Sequence, residues 1–320
     1  MRRLVLVLLA AVLPALAFAQ AYPTKPVKII VPAQPGGGLD LVGRTIADQM
    51  TKAFGQSFIV ENSAGGGGSI AAMTTARSTP DGYTLMVGYV GTHATNPAVR
   101  KLNYDAVKDF TTVAMVGGTP NLLVVTQQVP ANDLKSFVDY AKKNTATLNY
   151  GTGGIGLLNH LALEQFRAAA GIEDVVYGHY RGIGPALADM LGGQIQVLMP
   201  GLAAALPHIR SGKLKPLAIT GLQRHPLVPD VPTFEESGYK GFDGVQWYGI
   251  VGPAKMPADV TRRLNAEINK AITSPALQQR LAGEALTVMP MAPEQFSKFM
   301  QDEIARYTAL ARERNIRLDD

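Results

Sequence analysis

The chain has 320 residues, 47% hydrophobic and only 17% charged, which fits a dense globular α/β protein of one or two domains. It has no cysteine, so its stability must rest on a large core rather than on disulfides; a lipid anchor on an N-terminal cysteine is excluded, and a zinc site is not expected. The net charge of +5 is scattered, with no basic run longer than two residues, which argues against a nucleic-acid partner.

In chain order, Arg2 and Arg3 precede an unbroken apolar run over residues 4–13, and Ala17-Phe18-Ala19 follows. This is the order of a secretory signal peptide spanning residues 1–19. The apolar run is about half the roughly 20 residues that a membrane span needs. The mature protein is expected to begin at Gln20 and to be periplasmic. Intact mass measured on periplasmic material checks this, and a chain retaining residues 1–19 in the membrane fraction would contradict it.

From Val27 onward, short β-rich runs alternate with helical patterns. Residues 27–31 read as a buried strand, followed by the loop 32–38 and by Asp40 as an N-cap. Val42, Ile46, Met50 and Phe54 then form one apolar helical stripe. A strand at 57–60 leads to Gly65, Gly66, Gly67 and Gly68, with Ser69 as the next N-cap, and a strand at 83–87 follows the Asp81-Gly82 turn. The middle of the chain repeats this plan. Strands are expected at 122–126, 148–150, 175–177, 195–199 and 214–220, and helices at 133–143, 158–170, 185–191 and 202–210. Residues 223–233 carry three prolines and read as irregular chain. A strand at 247–251 and three helices complete the sequence. The expected fold is α/β with two lobes, each a doubly wound, mostly parallel sheet flanked by helices. Residues 20–122 and 242–320 make one lobe, and residues 123–241 the other.

Gly151-Thr152-Gly153-Gly154-Ile155-Gly156 satisfies the dinucleotide fingerprint literally. The acidic residue that should reach a ribose is misplaced, because Glu173 and Asp174 precede the next strand instead of ending it. No cofactor is therefore expected. Two readings of the three glycine loops stand: tight strand-to-helix turns, or anion sites at helix N-termini. His93, His160, His179, His208 and His225 show no metal-binding spacing, and no nucleophile motif is present. His160 reads as a packing or surface residue. Trp247 and Tyr248 fit either a cleft floor or the core.

The chain resembles the Bug (TctC-like) family of extracytoplasmic solute receptors, from about Tyr22 to the C-terminal helix. The resemblance rests on Tyr22-Pro23-Thr24-Lys25-Pro26, Pro35-Gly36-Gly37-Gly38 with Asp40, Val60-Glu61-Asn62 and Pro80-Asp81-Gly82-Tyr83-Thr84-Leu85. It continues through Thr92-His93-Ala94-Thr95-Asn96-Pro97, Tyr180-Arg181-Gly182 with Pro185-Ala186, and Leu206-Pro207-His208-Ile209. Pro229-Asp230-Val231-Pro232-Thr233 and Trp247-Tyr248-Gly249 complete it.

The resemblance implies a type II periplasmic-binding fold whose lobes close on one small carboxylate without chemistry, acting as a monomer with integral membrane transporter subunits as partners. It also implies where the ligand sits. One lobe supplies Gln34, Pro35, Gly36, Gly37, Gly38, Leu39 and Asp40, then Gly66, Gly67, Gly68 and Ser69, with Thr92 and His93 beside them. The other supplies Thr152, Gly153, Leu157, Tyr180, Arg181 and Gly201. Leu39, Leu157 and Gly201 stand where relatives more often carry polar groups. If they face the ligand, they favour a carboxylate with an apolar or aromatic body over an amino acid or citrate; if they face the cores, they say nothing about it. Arg181 is a candidate clamp for a second carboxylate. A sensor presenting a ligand to a membrane kinase would share these features, whereas an enzyme would need a nucleophile and a base in mutual reach.

Overall fold

The computed structural model describes residues 22–180, 182–242 and 244–317. The expected cleavage point after Ala19, and Arg181, lie outside them.

The first sheet begins with β1 (Val27–Val31), whose β-branched residues are almost all buried. Helix α1 (Gly38–Phe54) follows, with Val42, Ile46 and Met50 buried as its stripe requires, and it ends on Gly55 in the left-handed conformation. Strand β2 (Phe58–Asn62), a single turn at Gly66–Gly68, α2 (Ser69–Ala76) and β3 (Thr84–Tyr89) come next. A wide turn at Gly91–Thr95 enters α3 (Asn96–Val99), and β4 (Phe110–Pro120) closes this part of the chain.

The second sheet is built from β5 (Leu122–Thr126), α4 (Leu134–Lys143), β6 (Asn149–Thr152), α5 (Leu158–Ala170) and β7 (Val176–His179). It is completed by α6 (Ile183–Leu191), β8 (Val197–Leu198), α7 (Leu202–Arg210) and β9 (Leu214–Ile219). The chain then returns to the first sheet through β10 (Val245–Pro253), α8 (Ala258–Ile272), α9 (Pro275–Gly283), β11 (Thr287–Val288) and α10 (Pro293–Glu313).

The strand orders are β11-β4-β10-β3-β1-β2 and β7-β6-β8-β5-β9. Each sheet contains a parallel trio, β2-β1-β3 in one and β7-β6-β8 in the other. The remaining strands, β4, β10 and β11 in one sheet and β5 and β9 in the other, pair antiparallel, so both sheets are mixed. The antiparallel strands include those that carry the chain between lobes, from β4 to β5 and from β9 to β10. At the first crossing the Asn121 N–H donates to Thr220 Oγ1 at 2.9 Å, and the Thr220 N–H donates to Asn121 O at 2.8 Å, so the two crossings are tied together.

Each sheet is covered on both faces. Ile46 and Met50 of α1 pack with Leu264 and Ile268 of α8 on one side of the first sheet, and Ala72, Phe296 and Met300 pack on the other. In the second sheet Phe137 and Phe166 cover one face, and Leu187, Met190 and Leu206 the other.

Three features depart from the sequence reading. The sheets are mixed rather than mostly parallel, because the strands next to the crossings pair antiparallel. β4 is a central strand that the sequence did not announce, because Gly117 and Gly118 interrupt its apolar run. Those glycines are where β11 pairs with it, and a Cβ on Gly117 would collide with the Thr287 carbonyl oxygen. Asp40 lies within the first turn of α1 and Ser69 is the first residue of α2; the N-cap positions belong to Gly37 and Gly68.

Candidate functional site

The parallel trios place their carboxyl ends, and therefore the glycine loops, together in each lobe. In the first lobe Gln34, Pro35, Gly36, Gly37 and Gly38 are exposed. Their shape is held from below by Asp40, which is 5% exposed. Its Oδ2 accepts the Gly36 N–H at 3.0 Å and Arg44 Nε at 2.9 Å, and its Oδ1 accepts Asn62 Nδ2 at 2.9 Å. Burial alone would raise the Asp40 pKa, but the hydrogen bonds from Arg44, Gly36 and Asn62 outweigh it and hold the carboxyl at about 2. Leu39 packs partly buried against the first-lobe core. A Cβ on Gly38 would lie 3.0 Å from Tyr248 Oη, itself hydrogen-bonded to Gln246 Nε2 at 2.8 Å.

The second loop turns through Gly65, Gly66, Gly67 and Gly68, all at positive φ, a run that side chains with a Cβ avoid. Gly66 and Gly67 are exposed, Ser69 is partly buried, and Gly68 is buried. A Cβ on Gly68 would meet Thr92 Cγ2 at 2.6 Å and Pro32 Cβ at 3.1 Å, so this glycine lets the first two loops pack together. The Gly67 carbonyl accepts Tyr89 Oη at 3.0 Å and Asn96 Nδ2 at 2.9 Å. Thr92 and His93 are fully buried beneath this loop. Thr92 Oγ1 and His93 Nδ1 lie 2.7 Å apart, and the imidazole packs edge-on against Phe110. Burial lowers the His93 pKa to about 3, so the ring is neutral.

In the second lobe the loop after β6 is braced by its own neighbours. The Gly153 N–H donates to Asn159 Oδ1 at 3.0 Å, the Gly154 N–H to Thr152 Oγ1 at 3.3 Å, and the Gly156 N–H to His160 Nδ1 at 3.1 Å. Thr152 Oγ1 also lies 2.9 Å from His179 Nδ1. His160 is thus a buried brace for the loop, and burial lowers its pKa to about 4. The Tyr180 N–H donates to Thr152 O at 3.0 Å, which brings the third loop and the Tyr180 turn together. The Tyr180 hydroxyl turns to Asp189 Oδ2 at 2.7 Å, and burial and that carboxylate push its pKa up to about 12. Leu157 caps α5, and Gly201 caps α7 beside the crossing, bridged to Asn121.

Sequence reasoning missed Asn62, Arg44, Tyr89, Asn96 and Asn159, the side chains that brace the loops. Only Asn62, at the end of a strand, and Asn96, before a proline, carry any local signal. Trp247 and Tyr248 are both buried core residues. Trp247 donates to Glu303 Oε2 at 3.2 Å, and the Tyr248 hydroxyl lies close to the start of α1.

Residues 42–316 match the family described as tripartite tricarboxylate transporter family receptor. The chain belongs to that family. Protein BugT of Bordetella pertussis is 33% identical to it over 308 residues, 94% of this chain and 92% of BugT. MatC of Rhodopseudomonas palustris, solved with bound malate, is 34% identical with a TM-score of 0.81, covering 90% of this chain and 99% of MatC. A second R. palustris protein, solved with adipate, is 31% identical with a TM-score of 0.86, covering 92% of this chain and 99% of that one. The mixed sheets with helices on both faces are the two-lobed architecture of periplasmic binding proteins.

Membership of a receptor family agrees with the chemistry of the site. Thr152–His179 and Thr92–His93 are hydroxyl–imidazole pairs at hydrogen-bond distance, the first requirement of a nucleophile. Both threonines are fully buried. Among the described residues no group of three or more His, Asp or Glu could hold a metal ion, and no helix is long and apolar enough to cross a membrane.

Proposed function

We propose that this receptor captures a small dicarboxylate in the periplasm, between the glycine loops of its two lobes, and delivers it as a monomer to the integral membrane subunits of a tripartite transporter. The observation that carries this reading is the pairing of two exposed glycine turns, Gly36–Gly37–Gly38 and Gly66–Gly67, packed together through Gly68. Backbone amides in such turns reach an anion closely because no Cβ intervenes. The malate and adipate of the two R. palustris relatives support the ligand class. Residues 123–241 form the lobe that closes over residues 20–122 and 242–320. Leu39 rests against the core, so only Leu157 and Gly201 favour an apolar or aromatic ligand body.

Competitive titration with adipate, malate, an aromatic dicarboxylate, glutamate and citrate tests the reading. A dicarboxylate at 100 times its Kd should stabilise the fold by about 2.7 kcal/mol, and NMR of the bound ligand should show it unchanged. Tightest binding of glutamate or citrate would overturn the dicarboxylate assignment, and turnover above buffer would overturn the receptor reading.

A further inference from the structure

Beneath the second glycine loop lies a cluster of polar atoms that the fold leaves unfinished. Arg100 follows α3 in extended conformation, with its N–H bonded to Asn96 O at 3.1 Å. Its side chain runs back under the loop, and Nη2 lies 3.8 Å from where a Cβ on Gly67 would stand. The Arg100 Nε is buried and has no hydrogen-bond partner. Beside it lie Ser69 and the fully buried Asn96, whose Nδ2 holds the Gly67 carbonyl. Tyr89 and Tyr104 wall the cluster; the Tyr89 hydroxyl donates to Gly67 O at 3.0 Å, and the Tyr104 hydroxyl donates to Thr92 O at 2.9 Å while also interacting with Ser69 and Asn96. Among the described residues no carboxylate lies within ion-pairing distance of Arg100.

A guanidinium partly withdrawn from water, without a counter-charge and with one N–H unanswered, is costly to hold. A cavity of neutral acceptors or a bridging water would satisfy the N–H but not the charge. A carboxylate satisfies both, and the planar fork of arginine matches its two oxygens. Gly66 and Gly67 themselves are exposed.

We propose that Arg100 is the cationic partner of a ligand carboxylate at the second glycine loop, so that this loop binds its anion through a charge as well as through backbone amides. The proposal rests on the carboxylate reading of the cleft. It makes dicarboxylate affinity dependent on ionic strength, because one contact becomes a charge pair.

The test is calorimetric titration of the mature protein and of Arg100→Gln and Arg100→Lys with adipate and malate, at low and high salt, with melting curves taken without ligand. The expected result is roughly 30-fold weaker binding in Arg100→Gln and a flattened salt dependence, with Arg100→Lys intermediate in affinity and keeping its salt dependence, since lysine retains the charge but not the fork. Unchanged affinity and salt dependence in Arg100→Gln, beside a wild type that binds, would overturn the role of Arg100 and leave the receptor reading standing. So would lowered melting temperatures in both variants with affinity intact, since Arg100 would then only brace the loop. A wild type that binds no carboxylate of the panel would bring down the carboxylate reading, and this proposal with it.

Discussion

Gly37→Val is expected to weaken carboxylate binding about 100-fold, or about 2.7 kcal/mol, while the protein folds almost normally. Gly37 caps α1 with φ −94° and ψ 178°, an extended conformation that valine adopts freely, and a Cβ there would have nothing within 4 Å. The folding cost is therefore confined to the change of N-cap, about 1 kcal/mol or less. The same side chain would stand over the loop where an anion must come within hydrogen-bond distance of the amides. Gly68→Val cannot make this distinction, because φ is +90° and the new Cβ would press on Thr92 Cγ2 at 2.6 Å. That variant should lose melting temperature whether or not the loop binds anything. Calorimetric titration of Gly37→Val beside its ligand-free melting curve decides the matter. Normal binding would mean that the glycine merely turns the chain.

Asp40→Ala should lower stability by about 3 kcal/mol, because it leaves the Gly36 N–H, Arg44 and Asn62 without their common acceptor. For a chain of this size that is roughly 5–10 °C in Tm. It should also loosen the first glycine loop, so ligand affinity falls with stability, unlike the separation expected of Gly37→Val. The acid limb of the stability curve carries the same information. The folded Asp40 carboxyl titrates at about 2, below its ordinary value of 3.8. A depressed carboxylate stabilises fully above the unfolded pKa and loses that contribution as pH falls through the folded one. The wild type should lose this increment between about pH 4 and pH 2, and Asp40→Ala should not show it. Denaturant melts across that range measure the difference, and parallel acid limbs would show that the carboxylate contributes nothing.

The amino-acid sequence by itself determined the strand–glycine loop–helix units. Their signals are local: a β-branched run at Val27 to Val31, the stripe of Val42, Ile46 and Met50, and glycines at the turns. Helices α5 and α7 keep the bounds read from the sequence for the same reason. Short motifs in order identified the family.

Only the tertiary structure decided what each loop residue does. β4 escaped notice because its glycines serve the approach of β11, a partner about 170 positions away that no local window contains. His93 belongs to a recognisable motif, yet it is a buried neutral ring, because its burial depends on Phe110 and on the strands around it. Asp40 reads as a helix cap from its neighbours, but Asn62, from the adjacent strand, and Arg44 make it the brace of a loop. The amides of Gly153, Gly154 and Gly156 look identical in sequence to those of Gly37 and Gly67. Their spending on Asn159, Thr152 and His160 is set by how α5 docks behind the loop. Arg100 carries no motif at all. Its interest comes from having no counter-charge among the described residues where it lies near Gly67, and long-range packing alone determines which charges a fold leaves unpaired.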